Sequence, residues 1–195
     1  MRTLALLAGA GLLGYSILPE DDASDAFKAV QKYRAWHCVT PEAMDMVAST
    51  AVLCRGPMSW DTDPHNPHFR TLYKVYVNEA GKRAMENPKL PFPVGSIIVK
   101  EKYQPKTRKE NDWWKHQSLP KGAKPVLLTT MIKREKGFAP EQGDWQYMVL
   151  KGDASEETTV GLEHCAPCHQ EVKNRDYVFR SYVGPGGLHL KPLKE

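Results

Sequence analysis

The sequence predicts an α+β domain in which N-terminal helices are followed by an antiparallel β-sheet meander and then by a cysteine-containing C-terminal segment. Apolar residues recur at helical spacing in the first quarter of the chain, whereas later segments are short, alternating and rich in β-branched residues. No long helical pattern separates these later segments, and strands that follow one another directly favour antiparallel pairing. The length of 195 residues and the hydrophobic fraction of 41% suit a single core.

The first residues have the layout of an export signal. A short basic start is followed by an apolar run at 4–18, LALLAGAGLLGYSIL, which Pro19 and three acidic residues end. The run is short for a membrane span. We therefore interpret residues 1–24 as an export signal or an uncleaved N-terminal anchor, and residues 25–195 as one domain that lies in the periplasm.

Two helices are predicted next. Residues 25–36, DAFKAVQKYRAW, place large apolar side chains three positions apart, with Asp25 or Ser24 as the N-cap. Residues 41–53, PEAMDMVASTAVL, begin with a proline at a first-turn position and continue with helix formers.

Strands dominate the middle of the chain. The segments that combine β-branched and aromatic residues with turn signals at their ends are 68–78, 95–103, 126–134 and 144–152. Residues 79–87 are expected to add a short helix, and residues 165–182 are expected to be helical after the cysteine motif.

Two long loops interrupt these elements. The turn-rich stretch 56–68 contains His65 and His68, for which we expect a structural or surface role rather than metal binding. The basic stretch 104–125 contains Trp113-Trp114 and is either a surface loop pinned by tryptophan or a lid or partner-docking loop.

Charge and cysteine content narrow the partners and the compartment. The net charge is +4 and the basic residues are scattered rather than massed on one stripe, so no nucleic-acid partner is expected. In an oxidising compartment, Cys38 and Cys54 could form a disulfide that contributes about 3 kcal/mol in the chain-entropy model. The alternative is a pair of buried thiols.

The C-terminal segment HCAPCHQEVKNRD contains the strongest chemical signal in the chain. Its C-x-x-C-H arrangement lets Cys165 and Cys168 add to the two vinyl groups of a porphyrin and places His169 as an axial ligand of the iron. A zinc site would need a second ligand pair at suitable spacing, and a redox dithiol would be expected at a helix start in a βαβ unit. Covalent haem c, in one copy, is therefore the favoured interpretation.

The opposite side of the iron is predicted to be open or to hold water. Electron-transfer cytochromes often supply a methionine downstream of the motif, but no methionine follows His169 here. His189 is the one conventional ligand after the motif, so any other protein ligand would come from upstream. An open iron binds small molecules, which favours substrate or gas chemistry.

Three stretches in order resemble the cytochrome P-460 family, over roughly residues 30–183. They are FPVGSIIVKEKY, VLLTTMIKREKGFAPEQGDWQYMVL and CAPCHQEVKNRDYVF. The resemblance implies a mainly antiparallel β fold with helices, a C-terminal haem c and a homodimer. Family members include enzymes that oxidise hydroxylamine, and the related cytochromes c′-β bind nitric oxide at a five-coordinate haem.

The resemblance also implies a role for a strand lysine, which in the enzymes is cross-linked to the porphyrin. Lys100 is the best match and Lys102 the second, and both share a strand face with Ile98 under period-two alternation. A lysine among apolar strand neighbours is costly unless it is paired or modified. The alternative is a solvated lysine on an exposed face.

The residues opposite His169 are less defined. Met131, Trp145, Tyr147 and Met148 either face the haem or belong to the core. Hydroxylamine oxidation needs a proton acceptor, but Glu101 alternates to the face opposite Lys100 and is a weak candidate.

The sequence thus predicts an exported mono-haem c-type cytochrome that oxidises hydroxylamine or nitric oxide and passes electrons to another cytochrome. The alternatives are a non-enzymatic cytochrome that binds nitric oxide and a simple electron carrier. The expected partners are a small nitrogenous substrate or gas, a redox partner cytochrome and a second copy of the chain.

Overall fold

The computed structural model describes residues 20–45, 71–103, 118–159 and 162–180, in which an antiparallel sheet of seven strands is the main element. The strands are β1 His37–Cys38, β2 Met44–Asp45, β3 Leu72–Val77, β4 Ile97–Tyr103, β5 Leu127–Lys133, β6 Trp145–Lys151 and β7 Glu157–Thr158. The spatial order is β1-β3-β4-β5-β6-β7, and β2 pairs with β3 beside β1. The predicted α+β class with an antiparallel meander is confirmed.

The four longest strands, β3 to β6, lie within the four segments predicted from the sequence. Strands β1, β2 and β7 have two residues each and were too short to leave an alternating pattern.

The helix predicted over residues 41–53 is wrong at its start. Met44 and Asp45 are buried and pair with Tyr73 and Leu72 of β3 as strand β2. Helix propensity is a weak preference, and here the backbone pairing with the sheet overrides it. The residues after Asp45 in this segment lie outside the described residues.

The N-terminal helix, α1, runs over Glu20–Val30 and is followed by a 3-10 turn at Tyr33–Ala35. It begins before the predicted N-cap residues, so Ser24 and Asp25 lie inside the helix instead of capping it. The predicted 25–36 helix is thus confirmed in position but divided by a break before the 3-10 turn.

The sheet buries both of its faces. One face packs against α1 through a cluster that contains Val30, Val99, Leu128 and Met148; we call it the helix face. The other, the cleft face, contains Val75, Val77, Ile98, Met131 and Trp145. Alternation along each strand assigns neighbouring side chains to opposite faces.

The cleft face is covered by the second helix and by the C-terminal segment. Helix α2, Glu79–Glu86, buries Ala84 and Met85 there, and the Asn78 side chain caps it by accepting the Gly81 N–H at 3.1 Å. Helix α3, Cys165–Gln170, contains the cysteine motif and is followed by a 3-10 turn at Lys173–Arg175. The predicted helix at the motif is therefore confirmed for its first part.

Several predicted features lie outside the described residues: residues 1–19 of the export signal or anchor, His65 and His68, the Trp113-Trp114 loop, His189 and one half of the Cys38–Cys54 pair. Residues 20–24 of that predicted segment are the start of α1. The Cys38 thiol donates a hydrogen bond to the Thr40 carbonyl at 3.4 Å. In the part of the chain that is described, no helix is both long enough and apolar enough to cross a membrane.

Candidate functional site

A cleft lies between the cleft face of the sheet and the C-terminal segment. Its empty volume is about 450 Å³, including the part open to solvent. Strands β4, β5 and β6 line one side with Ile98, Lys100, Thr129, Thr130, Met131 and Tyr147, and the C-terminal segment lines the other with Cys165, His169, Val178 and Phe179. Among the described lining residues there is no aspartate or glutamate, and most of the surface is apolar.

The sequence of α3 brings the motif residues to one side of a helix. Cys165 is three residues from Cys168 and four from His169, and positions with these separations are neighbours on a helix surface. Cys165 is buried, and burial raises the pKa of its thiol to about 11. The side chains of Cys165 and His169 both reach the cleft.

His169 is held in one orientation by a hydrogen bond and two aromatic rings. Its Nδ1 lies 2.6 Å from the Tyr177 carbonyl oxygen, which can only accept, so Nδ1 carries the proton. The imidazole centroid is 5.3 Å from the Tyr147 ring and 5.2 Å from the Phe179 ring. The remaining nitrogen, Nε2, therefore keeps its lone pair.

The imidazole is also held in its neutral form. Burial, followed by the positive charges of Lys100 and Lys102, lowers the pKa of His169 to about 4, although the Tyr177 carbonyl acts in the opposite direction. A neutral imidazole whose Nδ1–H is donated to a carbonyl is the form in which histidine binds a metal through Nε2.

These residues fit a haem. The Cys165 thiol and a correctly protonated imidazole line one apolar and aromatic cleft, and Cys168 lies on the same helix three residues after Cys165. The hydroxyl of Tyr147, also on that cleft, is buried and finds no hydrogen-bond partner within the described residues, as expected if a polar group of the cofactor is missing from its environment. Among the same residues, no three His, Cys, Asp or Glu side chains are grouped so that they could hold a metal ion. The antiparallel sheet disfavours a thioredoxin-like dithiol, which is expected in a βαβ unit.

Both candidate lysines lie on the cleft face of β4, as predicted. Lys100 pairs with Val75 and Thr129 in register and lines the cleft, whereas Lys102 is fully buried farther along the strand. Their Nζ atoms lie 4.8 and 5.5 Å from the centroid of the Tyr73 ring. This strand face is not an exposed one.

Burial lowers the affinity of both amines for a proton. It lowers the pKa of Lys100 to about 8. The pKa of Lys102 is lowered further, first by burial and then by the charge of Lys100. Two amines with depressed pKa values on the same face of one strand are unusual for structural lysines, which seldom lose contact with water.

The structure separates the four residues considered for the opposite side of the iron. Met131 and Tyr147 line the cleft. Trp145 is on the same face, but its ring packs on Phe92 and its Nε1–H donates to the Asp176 carbonyl at 2.9 Å. Met148 belongs to the helix face and packs away from the cleft.

Glu101 is on the helix face, as alternation predicts. Its carboxylate accepts hydrogen bonds from Tyr33 Oη at 2.6 Å, from Arg34 Nε at 3.1 Å and from Tyr103 Oη. It therefore links the 3-10 turn after α1 to β4 and takes no part in the cleft.

The sequence does not predict the Tyr177 carbonyl or Phe179 as parts of the site. A main-chain oxygen leaves no signature of residue type. The one local signal is the polar run KNRD, residues 173–176, which is typical of a turn. Its last residue, Asp176, is the first of two consecutive residues with positive φ, at 54°, and Tyr177 follows at 61°.

One comparison with known proteins finds a family for this chain. The family model for cytochrome P-460 matches residues 30–180, a range that includes the sheet, both lysines and α3. A search of the curated proteins gives no match.

Proposed function

The chain belongs to the cytochrome P-460 family and is a haem-binding cytochrome, and from this premise we propose that it is an exported c-type cytochrome that oxidises hydroxylamine or nitric oxide. Cys165 and Cys168 would bind one haem covalently, and His169 would hold its iron. The observation that carries the proposal is the neutral His169 imidazole, oriented by the Tyr177 carbonyl beside the two cysteines.

When bound, the haem supplies an iron that exchanges single electrons and accepts a small nitrogenous ligand. The chain's own residues then have three tasks. His169 would hold the iron through Nε2, the apolar residues Ile98, Met131 and Val178 would exclude water, and Phe179 and Tyr147 fix the imidazole plane. Electrons would leave to a partner cytochrome.

Lys100 is proposed as the lysine that is cross-linked to the porphyrin. Its Nζ lines the cleft, and its lowered pKa leaves more of the nucleophilic neutral amine than an ordinary lysine has. In such a cross-link Lys100 would give up one hydrogen from Nζ, and the porphyrin carbon would give up the other. The two electrons and two protons would pass to the electron-accepting cytochrome and to solvent.

A second candidate, a non-enzymatic cytochrome that binds nitric oxide, is favoured by one observation. The described cleft residues include no carboxylate, and Glu101 points to the other face of the sheet. Binding nitric oxide needs no proton acceptor, whereas oxidising hydroxylamine does.

An absorption spectrum of the purified protein separates these functions. A red-shifted, broadened ferrous Soret band would indicate the lysine cross-link and the enzyme, and an ordinary five-coordinate haem c spectrum would indicate gas binding. A six-coordinate low-spin spectrum would contradict both and indicate an electron carrier.

Covalent attachment is tested by mass spectrometry. The wild-type chain should carry the mass of one haem, and Cys165→Ala with Cys168→Ala should remove it. Cys38→Ala is the matched control, because Cys38 lies on β1 and should leave the haem in place. Loss of haem in Cys38→Ala, or its retention in the double variant, would contradict the assignment.

Export and assembly are part of the proposal. The apolar run at residues 4–18 and the thioether chemistry support a periplasmic location, and family resemblance supports a homodimer. Fractionation of cells that express the full chain, followed by light scattering of the purified protein, measures both.

A further inference from the structure

The turn after α3 has an unusual backbone. Asp176 and Tyr177 adopt φ values of 54° and 61°, in the left-handed region that few non-glycine residues occupy. The Tyr177 carbonyl that accepts the His169 Nδ1–H belongs to this turn. Two consecutive residues keep this conformation only if contacts with the rest of the fold stabilise it. The same contacts then fix the position of the Tyr177 carbonyl.

The Asp176 side chain is fixed by groups from other parts of the fold. Its Oδ1 lies 2.6 Å from Lys133 Nζ, on β5, and its Oδ2 accepts the Phe92 N–H at 2.7 Å. The Asp176 carbonyl accepts the Trp145 Nε1–H at 2.9 Å. The Lys133 and Asp176 side chains are 15% and 14% exposed, so solvent screens this ion pair far less than a surface pair.

Lys133 connects the same turn to a third segment. Its Nζ donates to the Gly143 carbonyl at 2.8 Å and lies 5.0 Å from the centroid of the Trp145 ring. The Tyr177 ring lies against Gly143, where an added Cβ would be 2.3 Å from Cε2 of that ring. Lys133, at the end of β5, thus contacts both the Gly143 turn and Asp176.

We propose that Asp176 and Lys133 are positioning residues for His169: their ion pair fixes the turn that presents the Tyr177 carbonyl to Nδ1. This inference rests on the proposed function, in which His169 is the axial ligand. A hydrogen bond to a ligating imidazole raises its basicity and so tunes the potential of the metal. A loosened turn weakens that bond, which makes the ferrous state relatively more stable.

The test compares holoprotein variants by midpoint potential and by the iron–histidine stretching frequency in resonance Raman spectra. Asp176→Asn and Lys133→Met should each raise the potential, by up to about 59 mV for a tenfold change in relative stability of the two oxidation states. Each should also lower the stretching frequency, and the double variant should change no more than the larger single change. Lys133→Arg should restore most of both values.

The matched control is Glu156→Gln, which breaks the exposed Lys151–Glu156 pair by the same kind of substitution. It should leave potential and frequency unchanged. Wild-type values in both Asp176→Asn and Lys133→Met would overturn the inference while leaving the proposed function intact. If Asp176→Asn does not fold, the inference is tested by the two Lys133 variants alone: Lys133→Met should change the potential and the frequency, and Lys133→Arg should keep most of the wild-type values. Wild-type protein without covalent haem, measured by mass, would refute the proposed function and this inference together.

Discussion

At the scale of single residues, the structure distinguishes chemistry that depends on residue type from chemistry that depends on placement. Cys165, Cys168 and His169 are recognisable from their order in the chain alone. The protonation state of His169 cannot be recognised from the sequence, because it follows from burial in the cleft and from the hydrogen bond to the Tyr177 carbonyl. A main-chain oxygen eight positions downstream carries no identity that a motif could show.

Placement also distinguishes Lys100 from the nearby lysines, because Lys100 lines the cleft. If Lys100 is the cross-linked residue, Lys100→Arg should abolish the red-shifted ferrous Soret band, because a guanidinium stays protonated and cannot form the bond. The measurement is the absorption spectrum of the reduced holoprotein. The expected result is an ordinary haem c spectrum at unchanged haem content.

Two further lysines serve as references for this prediction. Lys74 pairs with Glu101 and therefore faces away from the cleft, so Lys74→Arg should keep the shifted band. Lys102→Met should also keep it. Loss of the band in Lys102→Met but not in Lys100→Arg would transfer the assignment to Lys102.

At the scale of elements, strand alternation was sufficient to assign residues to faces. It places Lys100 and Lys102 on the cleft side and Glu101 on the other, as the structure has them. It could not place β2, because Met44 and Asp45 form a strand only by pairing with Tyr73 and Leu72, which are distant in sequence. Long-range pairing of a two-residue segment leaves no local pattern.

The turn that ends at Gly143 allows a prediction about the stability of a single element. Gly143 has φ of 66°, and an added Cβ would overlap the Tyr177 ring. Gly143→Ala should therefore lower the free energy of unfolding through both strain and overlap, by roughly 2 kcal/mol in total. Denaturant titration followed by circular dichroism measures it.

Gly122 is a control for the backbone contribution alone. Its φ of 75° is similar, but no atom lies within 4 Å of an added Cβ. Gly122→Ala should therefore cost about 1 kcal/mol, from strain without overlap. Equal losses in the two variants would show that contact with the Tyr177 ring contributes nothing.

At the scale of the whole molecule, one sheet separates two environments. The cleft face meets the C-terminal segment, while the helix face meets α1 and the 3-10 turn. Glu101 and its hydrogen-bond partners Tyr33, Arg34 and Tyr103, which we call the Glu101 cluster, make the contact with the turn. The sequence predicted four strands and their antiparallel class because each strand has its own pattern. It did not predict that β4 is buried on both sides, because that depends on what the rest of the chain packs against it.

Because of the Glu101 cluster, the free energy of unfolding should decrease as the pH rises above about 10. Burial, then the hydrogen bond to Glu101, raises the pKa of Tyr33 above its ordinary value near 10, and the same two causes raise that of Tyr103. Below the unfolded-state pKa both states keep the phenolic protons, so the stabilisation is fully present. Above it the unfolded chain releases them first, so stability falls as pH rises toward the folded-state values.

Tyr33→Phe tests this linkage, because it removes one phenol from the cluster. At pH 8 the variant should be less stable than wild type by roughly 1–3 kcal/mol, since it lacks a hydrogen bond to a buried carboxylate. Between pH 10 and 12 the wild type should lose about 1.4 kcal/mol per pH unit more than the variant, so the difference should shrink. Urea titrations at several pH values measure the difference, and a gap that stays constant from pH 8 to 12 would show that Tyr33 does not carry the alkaline transition.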